Sequence, residues 1–103
     1  MNVVEIEKYE VLASEWQYQM ILILKEKLLR NQVDSKTAKE ICGELAFDLA
    51  ILQDQGEIKL GKVQYQPVIC FVENNTELHF NSRSKFQLHD HAYGNNSEIY
   101  ETN

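Results

Sequence analysis

The chain has 103 residues, 44% hydrophobic and 25% charged, with four Gly and one Pro, which suits one folded domain and excludes a linker-rich or low-complexity chain. The formal net charge is −6; residues 1–56 carry 10 acidic and 6 basic side chains, and residues 57–103 carry 6 and 4. Without a Lys/Arg cluster, neither nucleic acid nor an anionic membrane is an expected partner.

The first ten residues, MNVVEIEKYE, lack the apolar core of a signal peptide, and the longest apolar run, Met20–Leu24, is too short to span a bilayer. The expected location is the cytoplasm, with Cys42 and Cys70 reduced and buried.

The first predicted element is a helix over about 5–31 with two apolar stripes. At about 100° per residue, Tyr9, Leu12, Ala13, Trp16, Met20, Ile23 and Leu24 fall on one face. Val11, Tyr18, Leu22 and Leu29 fall roughly 180–200° away. Trp16 reads as a core residue of the first stripe. After a short break at Asn31-Gln32-Val33, a second helix is expected over about 35–55. Its candidate caps are Asp34, Ser35 or a Thr37/Glu40 capping box, with Gly56 as its C′ residue. Its main stripe is Ala38, Ile41, Leu45, Leu49 and Leu52, with Cys42 alongside; Phe47 and Ile51 form a smaller patch on the far side.

After Gly56 the apolar period changes from 3.6 to 2. Strands are expected over about 57–60, 63–73, 76–81 and 85–91. A type II′ turn at Gly61-Lys62 pairs Ile58 with Tyr65 and Leu60 with Val63. A two-residue turn at Asn74-Asn75 pairs Phe71 with Leu78 and Ile69 with Phe80. A loop at Ser82-Arg83-Ser84 pairs Phe80 with Phe86 and Leu78 with Leu88. The expectation is an α+β fold: two N-terminal helices on one face of a four-stranded antiparallel meander. Residues 1–93 form the domain and 94–103 a tail, disordered or adding a short edge strand over Glu98–Glu101.

On the opposite sheet face these registers set Cys70 against His79 and bring His89 diagonal to it. The three are candidate ligands for zinc, with Glu77 nearby. The plainer reading is a solvated polar sheet face. Cys70 and His79 also read as a candidate Cys–His nucleophile pair, but Cys70 lies within the apolar run Val68–Val72, a poor setting for a reactive thiol. No phosphate-binding loop, Cys-x-x-Cys, His-Glu-x-x-His or Gly-x-Ser-x-Gly motif is present. The sequence therefore suggests a non-enzymatic protein without a cofactor, acting through protein–protein contact as a regulator, inhibitor or immunity-type partner. The expected contact is a homodimer through Val11, Tyr18, Leu22 and Leu29. The alternative is a metal- or small-ligand-binding domain built on Cys70, His79 and His89.

Overall fold

A computed structural model describes residues 3–55, 58–80 and 87–101. The elements run α1 (Val3–Arg30), α2 (Ser35–Gln55), β1 (Ile58–Leu60), β2 (Val63–Tyr65), β3 (Cys70–Glu73), β4 (Glu77–Phe80) and α3 (His89–Glu101). The fold is α+β, as the change of period implied. Its sheet is not the expected meander. β1 pairs only with β2 and β3 only with β4, giving two separate antiparallel hairpins among the described residues.

α1 ends in a Schellman motif. The Val33 N–H donates to the Leu28 carbonyl and the Gln32 N–H to the Leu29 carbonyl. Gln32 takes the left-handed conformation there, with φ 69°. Two residues later Asp34 caps α2. Its carboxylate accepts from the Thr37 N–H at 2.9 Å and from the Thr37 hydroxyl at 2.7 Å. Those two bonds hold the Asp34 carboxyl below its usual range. The chain thus turns back on itself, and α1 and α2 form an antiparallel hairpin. Tyr9 and Ala13, early in α1, cluster with Ala50, late in α2; Ile21 clusters with Cys42 and Ala46.

The buried faces of this hairpin differ from the expected stripes. On α1 they are Tyr9, Ala13, Gln17 and Ile21, spaced by four. Gln17 belongs to the core because its polar atoms are satisfied there: Nε2 donates to the Leu88 carbonyl and Oε1 accepts from Asn95 Nδ2 at 2.8 Å. On α2 the buried side chains are Ala38, Cys42, Ala46 and Ala50, again spaced by four, and Gly43 is buried beside Cys42. Small side chains let the helices approach closely, so the larger Ile41, Leu45, Leu49 and Leu52 are turned outward.

The third helix corrects both the fourth strand and the tail. Residues 89–91 open α3, and residues 94–101 continue it. Leu88, Ala92, Asn96 and Ile99 recur at helical spacing, and all four are buried. α3 lies in one groove of the α1–α2 hairpin. Asn96 Nδ2 donates to the Lys39 carbonyl at 2.9 Å, and Asn95 Nδ2 reaches Ser14 and Gln17. Gly43 permits this approach: a Cβ there would lie 3.0 Å from Asn96 Nδ2 and 3.1 Å from the Tyr93 ring.

β1–β2 has the expected register, Ile58 with Tyr65 and Leu60 with Val63. Gly61, first in the two-residue turn, has the positive φ of 65° that a type II′ turn requires. The long second strand does not form. It breaks between Tyr65 and Cys70, around Pro67, which has no N–H to give a ladder. At the next turn the register slips by one. Asn74 and Asn75 both adopt positive φ, and the Thr76 N–H closes onto the Glu73 carbonyl at 2.9 Å. Glu73 then pairs with Glu77, so Thr76 is an extra residue in the loop. Phe71 consequently opposes His79, and Val72 opposes Leu78. One slip exchanges the faces. Phe71 and His79 turn toward α1, where the Tyr9 ring packs against Phe71 at a 57° tilt with centroids 5.8 Å apart. Cys70, Val72 and Leu78 turn to solvent.

The expected Gly56 cap, the Ser82–Ser84 loop, the Phe80–Phe86 pairing and residues 81 and 85–86 of the outer strands lie outside the described residues. None of the described helices is long and apolar enough to cross a membrane.

Candidate functional site: an apolar helix-hairpin face

Each of the two long helices has a second face, turned away from α3. On α1, residues 14, 17, 18 and 25 meet α3 or its lead-in residue Leu88. Leu12, Trp16, Met20 and Ile23 lie on the opposite side of the helix wheel. On α2, residues 39, 43, 47 and 54 meet α3. Ile41, Leu45, Leu49 and Leu52 lie opposite. Both sets have the same 4-4-3 spacing, an 11-residue period that runs nearly straight along a helix. Antiparallel alignment brings Leu12 level with Leu52, Trp16 with Leu49, Met20 with Leu45, and Ile23 with Ile41. The result is four apolar layers over roughly 16 Å of helix.

This face is open. Ile23 is 60% exposed, Leu52 48% and Trp16 40%, and Ile41, Leu45 and Leu49 are exposed as well; Leu12 and Met20 are half-buried at its inner edge, Met20 against the Ile21 cluster. Trp16 and Ile23, expected in the core, are therefore surface residues. The reason is the sheet: no continuous β-layer forms among the described residues to cover them, and the β3–β4 hairpin reaches only the N-terminal part of α1. The β1–β2 hairpin adds a second bare face. Its register places Ile58, Leu60, Val63 and Tyr65 on one side, and all four are exposed. Contiguous apolar surface of this extent marks an interaction site more often than chance.

The residues expected to form an interface are divided by α3. Tyr18 packs against the cluster of Ile21, Ala92 and Ile99. Val11 lines, with Tyr18, Glu10, His91 and Glu98, a cleft of about 470 Å³ between α1 and α3. Leu22 and Leu29 are exposed but stand apart from the eight-residue face.

The candidate metal ligands Cys70, His79 and His89 are not brought together. Cys70 and His79 sit on opposite faces of the β3–β4 hairpin. His89 opens α3, where Asp54 Oδ2 accepts from its backbone N–H at 2.9 Å and meets its Nδ1 at 2.7 Å. Asp54 thereby satisfies an N-terminal amide of α3 from a neighbouring helix. A different group does converge: Glu73, Glu77 and His79 offer ligand atoms within 4.8 Å of one another. Glu73 also pairs with the Lys8 ammonium, the main cause holding its carboxyl below the usual range. Sequence reasoning missed this group through the one-residue slip after Asn75.

The two thiols differ sharply. Cys42 is fully buried, 3.3 Å from the Tyr100 hydroxyl, and burial pushes its thiol pKa up. Cys70, expected to be buried, is exposed because the slipped register turns it outward. An aromatic disulfide reagent added to native protein should therefore titrate one thiol quickly and the second only on unfolding. Cys70→Ser should abolish the fast phase; two fast thiols would contradict the packing of α2 on α3.

Comparison with protein-family models, curated proteins and solved structures finds no match.

Proposed function

We propose that this chain works by binding protein, and that its first partner is a second copy of itself. The observation that carries this reading is the uncovered α1–α2 face, with Trp16 at its centre. A face made of two antiparallel helices with matched stripes is self-complementary under a two-fold axis. Two copies joined there make a four-helix layer with α3 on each outer side. Each buried side chain of this size contributes about 1.5–3 kcal/mol. The eight positions hold no charge, so association strands no ion. The net charge of −6 slows the approach of two copies and favours a basic third partner.

This face replaces Val11, Tyr18, Leu22 and Leu29 as the proposed contact. The bare β1–β2 side supports a second role: an arm by which the dimer engages another protein as a regulator or inhibitor would. Two unpaired cysteines fit a reducing compartment such as the cytoplasm.

Trp16 is the single tryptophan and reports on the face directly. On dilution from high micromolar to nanomolar protein, its emission should move to longer wavelength along a two-state curve. A concentration-independent spectrum would overturn the self-association reading.

A further inference from the structure

We propose that Glu73, Glu77 and His79 form a zinc site, and that the Lys8 ammonium holds this place when no metal is bound. This set shares only His79 with the Cys70/His79/His89 group and lies away from the α1–α2 apolar face.

The hairpin itself builds the site. Glu77 and His79 are two apart on β4, so they share a face. Glu73 lies directly across the ladder from Glu77. Directly opposed carboxylates repel, and a cation between them removes that cost. Lys8 on α1 supplies such a cation, its ammonium paired with the Glu73 carboxylate.

His79 gives the second, independent observation. It is 7% exposed, and its Nε2 is inaccessible and makes no hydrogen bond of acceptable geometry, although Glu73 Oε1 is 3.3 Å away. Nitrogen and oxygen thus sit side by side at ion-pair distance rather than in a well-aligned hydrogen bond. Two ligands bound at about 2.0–2.1 Å to a tetrahedral zinc ion are roughly 3.3–3.4 Å apart. Glu77 is exposed and free to close on the same point. An imidazole among the ligands selects zinc over magnesium or calcium. Three protein ligands leave the fourth position to water.

The test is calorimetric titration of zinc chloride into tag-free, chelator-stripped protein, with circular dichroism confirming the fold of each variant. Binding of one zinc per chain is expected. Glu77→Gln, an exposed position, should weaken it tenfold or more, and Cys70→Ser should leave it unchanged. Lys8→Ala should tighten it severalfold, because the competing cation is gone. Absence of zinc binding, binding that survives Glu77→Gln, or weaker binding in Lys8→Ala would each overturn the proposal.

Discussion

Replacing Leu45 and Leu49 together by Glu should convert the chain to a folded monomer. Both side chains are already exposed in the single chain, so the substitutions cost the protomer little. In a two-fold dimer each occurs twice, and four carboxylates would have to leave water for an apolar layer. Leu45 and Leu49 are each 39% exposed in the single chain, so losing that part of four leucines removes about 2–5 kcal/mol of gross burial, from about 1.5–3 kcal/mol for a whole side chain. Dissociation should therefore rise by at least about 100-fold, which needs only about 2.8 kcal/mol. The check is sedimentation velocity, with far-UV circular dichroism to confirm the helices. Leu22→Glu, away from the face, should leave association intact. If Leu22→Glu dissociates the protein and the double variant does not, the interface lies on the other stripe of α1.

The second large effect separates the two faces of α1 by stability. Ile21 is fully buried between Cys42, Ala46 and Ala92. Ile21→Ala should cost about 2–5 kcal/mol, a large share of the roughly 5–15 kcal/mol that holds a domain of this size. Ile23→Ala, made in the Leu45→Glu/Leu49→Glu monomer, should cost under about 1 kcal/mol because Ile23 is mostly exposed. Urea denaturation of the two variants measures both. Equal losses would mean that α1 is rotated from the orientation described.

Much of the architecture was legible in the residues. Both long helices, the Asp34 cap and the β1–β2 register follow from local chemistry, which acts over a few residues. What failed depended on tertiary contacts. Hydrophobicity ranks Leu and Ile above Ala, so Leu45 and Leu49 read as core; close helix packing instead buries Ala46 and Ala50. Gln17 interrupted the apolar pattern, yet it is buried because Leu88 and Asn95 satisfy its side chain. α3 was hidden by Gly94-Asn95-Asn96-Ser97, weak helix formers, although the spacing of Leu88, Ala92, Asn96 and Ile99 signalled it. The Glu73/Glu77/His79 group was missed for a smaller reason: Asn74-Asn75 marked the turn, but nothing local showed that Thr76 would join the loop.

Coverage of the α1–α2 face by a second copy is tested most directly by light scattering on a sizing column at tens of micromolar protein. The expected mass is twice the 12.0 kDa of the chain. A mass of one chain at that concentration would contradict the dimer.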